Sequence, residues 1–210
     1  MASASRRVWN GMRNQCIRRT HHVIVDKLFG PIRQVAYVVP ELDAAMKAWN
    51  AQLGVGPFAV VRGLQPLTGS RYRGAPSGDV ILDMGFAYIE DVQVELIEQR
   101  NQTPSVYREA IERGLHSLHH YGFWVEDFDA AYAHAVAQGF EAVVDAGSRD
   151  SGRMSYVESR LIPGLICELI EWTEGTRPYF DGVRRFLAGV DPATLQHEMD
   201  LASVASGGPS

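Results

Sequence analysis

Gln34-Val-Ala-Tyr-Val-Val-Pro-Glu-Leu-Asp-Ala-Ala45 and His120-Tyr-Gly-Phe-Trp-Val-Glu-Asp-Phe-Asp-Ala-Ala131 are two versions of one pattern, set 86 residues apart. Each opens with a run of apolar and β-branched residues that reads as a strand. Each then turns through acidic residues into a helical segment. After Pro40, the apolar positions Leu42, Ala45, Met46, Trp49 and Leu53 fall on one helix face, and Gly54 stands where a helix-terminating glycine belongs. In the second copy, Phe128 to Gln138 is the helix and Gly139 stops it. A second matching pair follows, Val94-Glu-Leu-Ile-Glu98 and Cys167-Glu-Leu-Ile-Glu171, 73 residues apart. The Gly-, Pro- and Arg-rich stretch from Arg62 to Asp79, long in the first half only, absorbs the 13-residue difference in spacing. Self-similarity in matching order signals duplicated supersecondary units.

Working outward, Ile32–Val39, Phe58–Val61, Val80–Ile89 and Val92–Glu98 are the strands of the first half. Leu118–Val125, Phe140–Val144, Arg153–Glu158 and Leu165–Trp172 are those of the second. The order strand–helix–strand–strand–strand occurs twice, an α+β chain of paired βαβββ modules. Residues 1–30 are a basic extension, 31–102 the first module, 103–116 a linker with a short helix begun at Pro104, and 117–174 the second module. Residues 175–210 hold two helices, Tyr179–Leu187 and Pro192–Leu201, and a polar tail.

Composition sets limits on function. The 210 residues carry a net charge of −5, with no sustained basic patch, so nucleic acid is not an expected partner. No apolar run approaches the ~18–20 residues of a membrane span. Cys16 and Cys167 form no C-x-x-C pair, which argues against a disulfide framework or a cysteine zinc site and fits the cytoplasm. The first 25 residues hold five arginines and no acid, a pattern shared by basic tails and organelle transit peptides. There is no dinucleotide fingerprint, P-loop or nucleophile elbow.

Strand alternation groups the polar residues. Ile166, Glu168, Ile170 and Trp172 share a face, as do Gln93, Glu95 and Ile97. Gln34 shares a face with Ile32, Ala36 and Val38, and His120 with Leu118, Gly122 and Trp124; His119 goes to the opposite face. Each module therefore offers two polar side chains from inward faces at equivalent positions. A buried carboxylate without a partner costs several kcal/mol. A divalent cation removes that cost. One imidazole, two carboxylates and one amide oxygen from Gln34, Glu95, His120 and Glu168 suit a single zinc, nickel, cobalt, manganese or magnesium ion.

These residues carry a resemblance. Gln34-Val-Ala-Tyr-Val-Val-Pro-Glu-Leu-Asp, Gly54-Val-Gly-Pro-Phe58, Val94-Glu-Leu-Ile-Glu98, His119-His-Tyr-Gly-Phe-Trp-Val125 and Glu168-Leu-Ile-Glu171 together resemble the vicinal oxygen chelate superfamily, the glyoxalase, bleomycin-resistance and extradiol-dioxygenase group, over Ile32 to Trp172. The resemblance implies a curved half-barrel sheet around a metal held by Gln34, Glu95, His120 and Glu168, a set like that of eukaryotic-type glyoxalase I. It implies a glyoxalase-like isomerase, epimerase or lyase that abstracts a proton beside a carbonyl and stabilises the enolate with the metal, Glu168 serving as base before Glu95. Two alternatives remain open. An extradiol-type dioxygenase would use iron, but Gln34 occupies the place where a second histidine is expected. A non-catalytic small-molecule binder of the same fold would need no metal. The implied partner is a small carbonyl or hydroxy-carbonyl compound, and relatives often pair as homodimers. Arg62, Arg71 and Arg73 on the long loop are candidates for holding a carboxylate or phosphate. Tyr156, with Phe123 and Trp124, is a candidate lining of an apolar pocket.

Overall fold

A computed structural model describes residues 29–205; the basic extension expected at the start lies almost wholly outside them. The first module comprises β1 (Gln34–Val38), α1 (Leu42–Leu53), β2 (Phe58–Leu64), β5 (Leu82–Ile89) and β6 (Val92–Gln99), with the short strands β3 (Arg71–Tyr72) and β4 (Ala75–Pro76) in its long loop. Helix α2 (Val106–Glu112) follows. The second module is β7 (Leu118–Val125), α3 (Phe128–Ala137), β8 (Phe140–Ser148), β9 (Gly152–Ser159) and β10 (Ile166–Glu171). Then come α4 (Arg177–Gly189), β11 (Gln196–Glu198) and α5 (Leu201–Ala205). The paired-module α+β fold is what the structure shows.

The helices start and stop where local chemistry dictates. Glu41 caps α1 by accepting from the Asp43 and Ala44 amides, and Gly54 ends it at φ 69, in the left-handed region that favours glycine. Asp127 caps α3 through the Ala130 amide. One mixed sheet runs in the order β11-β2-β5-β6-β1-β7-β10-β9-β8-β3-β4. The modules meet where β1 pairs antiparallel with β7, and each of these central strands also has a parallel neighbour, β6 and β10. Alternation along β1 packs the half-buried Val35 and Tyr37 against the α1 side on the outer face and turns the buried Gln34, Ala36 and Val38 to the concave face. Phe123, Val125, Cys167 and Leu169 pack outward against α3 in the same way.

Three expectations need correction. The Arg62–Asp79 loop is not merely a loop: Arg71 and Tyr72 pair with Asp145 and Val144 of β8, so the first module's loop extends the second module's edge. Pro192–Leu201 is not a helix, because Gln196–Glu198 pairs in parallel with β2 and satisfies that strand's free edge. His119 does not leave the concave side. Ala36 pairs with His120 but Tyr37 pairs with Leu118, so β7 carries one extra residue at this point, and the bulge breaks the alternation.

Helix α4 lies across the concave face. Val183, Phe186 and Leu187 join the concave core with Met199 and Leu201. Trp124 and Trp172 stack at 4.5 Å with planes 4° apart, and Phe180 of α4 sits 4.6 Å from Trp124. No helix among the described residues is long and apolar enough to cross a membrane.

Candidate active site

Sheet register builds the site. Tyr88, Gln93, Gln34, Gly122, Glu168 and Tyr156 stand in one row across β5, β6, β1, β7, β10 and β9. In the next row Ala36 stands between Glu95 and His120. A small residue in each row, Gly122 in the first and Ala36 in the next, leaves the polar side chains beside it a gap to lean into. Gly122 is the plainest case: a Cβ there would lie 2.7 Å from the Gln34 side-chain oxygen and 2.8 Å from its Cβ.

Gln34, Glu95, His120 and Glu168 come together around one point, and all four are buried. His120 Nε2 lies 3.3 Å from Gln34 Oε1, 3.6 Å from Glu95 Oε2 and 3.4 Å from Glu168 Oε2. Burial, and then the charge of Glu168, holds the Glu95 carboxyl well above the usual carboxylate range.

Two chains of hydrogen bonds fix which atoms face inward. The Phe180 carbonyl can only accept, and it takes the Tyr88 hydroxyl at 3.3 Å. Tyr88 O accepts from Gln93 Nε2 at 2.9 Å, and Gln93 Oε1 accepts from Gln34 Nε2 at 2.8 Å. The Gln34 oxygen is therefore the atom left for the site. On the other side, His119 Nε2 faces the Val106 carbonyl at 3.3 Å and so carries a hydrogen. Burial, then the neighbouring His120, pushes His119 down to about 3, so it is neutral and its Nδ1 is bare. That Nδ1 lies 2.9 Å from His120 Nδ1, which donates to it. In neutral His120 the lone pair is then on Nε2, aimed at the two carboxylates.

Four side chains thus turn acceptor atoms toward one point, where the only hydrogen is the one that burial and Glu168 keep on Glu95, and a cation in place of that proton would satisfy all four. For metal–ligand bonds of about 2.1 Å, neighbouring donors are about 3.0 Å apart in an octahedron and about 3.4 Å apart in a tetrahedron. The three separations from His120 Nε2 match the wider spacing within a few tenths of an ångström, so the residues fit such an ion. Without Gln34, no group of three or more His, Cys, Asp or Glu side chains among the described residues is placed to hold a metal ion. The Gln34 oxygen would be the fourth donor here.

Tyr156 and Tyr107 complete the floor, their hydroxyls 2.9 Å apart. Burial and then the Glu168 charge raise both well above their ordinary values, so both stay protonated. One hydroxyl hydrogen of the pair is left for a third partner. A cavity of about 310 Å³ opens onto Gln34, Glu95, Glu168 and both tyrosines. A larger depression of 690 Å³ beside Arg33, Trp124 and His134 touches none of the four donors.

Of the remaining expected residues, Tyr156 lines the cavity and the three arginines do not. Arg62 is held by Asp43, Asp83 and Glu198. Arg73 is held by Glu109 and Glu158, and Arg71 donates to the Gly74 carbonyl. Their charges are matched by nearby acceptors. Trp124 stacks on Trp172, and Phe123 is outer core. Sequence reading missed Tyr88, Gln93, Tyr107 and the role of His119. Gln93 shares the face of Glu95, which was a usable signal; Tyr107, on the connecting helix, gave none.

The architecture is that of a two-module half-barrel with a polar centre at the seam between modules. A family model described as the glyoxalase/bleomycin resistance protein/dioxygenase superfamily matches residues 33–156, more than half of the chain. The chain belongs to that superfamily. Among solved structures, methylmalonyl-CoA epimerase from Mycobacterium tuberculosis aligns with a TM-score of 0.52 at 17% identity, covering 70% of this chain and 90% of that one. Hypothetical protein BH1468 from Bacillus halodurans C-125 aligns with a TM-score of 0.51 at 13% identity, covering 67% and 93%. At these identities the likeness is one of fold. No curated protein sequence matches the chain.

Proposed function

We propose that this protein is a metal-dependent isomerase, epimerase or lyase that removes a proton from the carbon beside a carbonyl. The observation that carries this reading is the convergence of four buried acceptors, Gln34, Glu95, His120 and Glu168, on one point. They would hold one divalent ion: zinc, nickel, cobalt, manganese or magnesium. When bound, that ion supplies Lewis-acid stabilisation of negative charge on the substrate oxygen.

The chain's own groups do the rest. Glu168 borders the cavity beside the gap at Gly122 and is the first choice of base, Glu95 the second. The carboxylate accepts the proton as the C–H bond breaks and its electron pair spreads onto the carbonyl oxygen. Return of the proton to the opposite face, or to the neighbouring carbon, gives an epimer or an isomer. The spare hydroxyl hydrogen of the Tyr107–Tyr156 pair is placed to donate to that oxygen. The dioxygenase reading loses support because both ring nitrogens of His119 are engaged, with His120 and the Val106 carbonyl, so it offers no second imidazole.

The test is metal content of the purified full chain beside Glu168→Gln. Roughly one tightly held ion per chain, weakened in the variant, supports the reading. No metal after replenishment with zinc, nickel, cobalt, manganese, magnesium or iron overturns it and leaves a ligand-binding scaffold.

A further inference from the structure

The cavity beside the four donors is chemically one-sided. Away from them and the tyrosine pair its walls are mostly apolar, with Leu67, Met84, Phe86 and Ile170 among them; of the polar residues there, Gln93 is bonded to Gln34 and Tyr88, Thr176 donates to the Glu171 carbonyl, and Tyr179 is exposed. Its roof comes from the C-terminal segment, with Phe180 and Val183 of α4 and Leu201 of α5. No lysine or arginine side chain among the described residues lines it. The arginines that adjoin its lining residues in sequence are engaged elsewhere: Arg33 over Trp124, Arg108 with the Asn101 carbonyl, Arg153 with Asp129 and Glu171, Arg177 with Glu174 and the face of Trp172, and Arg184 with Asp91 and the face of Tyr88. At about 310 Å³ the space is at the small end of ligand sites. That equals roughly ten water molecules at liquid density.

We infer that the substrate is a small, uncharged α-carbonyl compound with an apolar side group, enclosed by α4 and α5 of the same chain, and not a carbonyl carried on a charged conjugate. This rests on the proposed reading of the site. An anionic carrier group would meet no cationic side chain in the cavity and would share it with Glu95 and Glu168, so its burial would go uncompensated. An apolar group gains on every wall. The roof also places the completed site within one chain. Val183 is buried against the concave core, so α4 covers the donors without a second copy.

The test compares two probes that present the same reactive group. 2-Hydroxyacetophenone is neutral, with about ten non-hydrogen atoms, and fits the space. S-Phenacylglutathione carries the same phenacyl carbonyl on an anionic tripeptide. Zinc stoichiometry of the full chain is read first, without ligand, so that failure of the metal site is seen separately. Calorimetry on the zinc-loaded protein, and loss of the CH₂ proton signal in D₂O, then report binding and exchange. The inference expects 2-hydroxyacetophenone to bind at least tenfold tighter than S-phenacylglutathione and to exchange. It expects Val183→Phe, which narrows the roof, to weaken that binding at least tenfold at full zinc occupancy. If Val183→Phe fails to fold, Leu201→Phe serves instead. Equal or tighter binding of S-phenacylglutathione, or binding of neither probe, overturns the inference while the zinc measurement still stands for the site.

Discussion

Replacing Glu95 by Gln tests the centre without knowledge of any substrate. The facing oxygens of Glu95 and Glu168 both lie within 3.6 Å of His120 Nε2, so they are at most about 7 Å apart. Two unit charges at that separation repel by at least about 2.4 kcal/mol at an effective dielectric of about 20. Burial adds to this, and the Glu95 carboxyl is raised above its ordinary value of 4.5. In the metal-free protein the folded state therefore keeps a proton that the unfolded chain gives up. The stability tied to that proton is fully present below the ordinary value and is lost as pH rises through the folded one. Glu95→Gln removes the titration. Metal-free variant protein at pH 8 is expected to be about 1–2 kcal/mol more stable than the parent, roughly 2–8 °C in Tm for a chain of this size, with a flatter pH profile. Metal reverses the order. At free zinc one hundred times its dissociation constant the parent gains about 2.7 kcal/mol, whereas a variant with hundredfold weaker affinity gains about 0.4 kcal/mol. Urea unfolding at pH 5 and pH 8, with chelator or with zinc, reads all four values. A metal-free variant less stable than its parent by over 1 kcal/mol, or one keeping the parent's full zinc-induced gain, would refute the reasoning.

Two further substitutions probe how the donors are held. Gly122→Ala puts a methyl group 2.7 Å from the Gln34 oxygen and should lower zinc affinity at least tenfold. A chromogenic chelator competition checks this, and unchanged affinity would show that Gln34 is not a donor. Gln93→Leu breaks the chain that runs from the Phe180 carbonyl to Gln34, freeing that amide to turn its NH₂ inward. Zinc affinity should fall about 10- to 100-fold in the same competition, and an unaltered value would remove any orienting role for Gln93.

The duplication was legible because strand-and-helix order and two matching segments survive in the letters, and because inward faces follow from a period of two. That was enough to bring Gln34, Glu95, His120 and Glu168 onto the concave face. It failed at His119, where one extra residue in β7 shifts the register, since a bulge depends on the partner strand as well as on the strand itself. The arginines of the long loop misled for a related reason. Their charge was visible, but the carboxylates that hold them lie far along the chain, such as Glu198 for Arg62 and Glu158 for Arg73. The strand at Gln196–Glu198 was also illegible, because it exists to pair with β2 and has no strong strand pattern of its own.

The two carbonyls that anchor the hydrogen-bond chains belong to Phe180 in α4 and Val106 in α2. Neither lies in a duplicated module. Doubling an ancestral βαβββ unit could supply all four donor side chains, but not the sense in which an amide and an imidazole are turned. A minimal version trimmed to its repeats would keep every ligand atom and lose the two fixed points that tell an oxygen from a nitrogen.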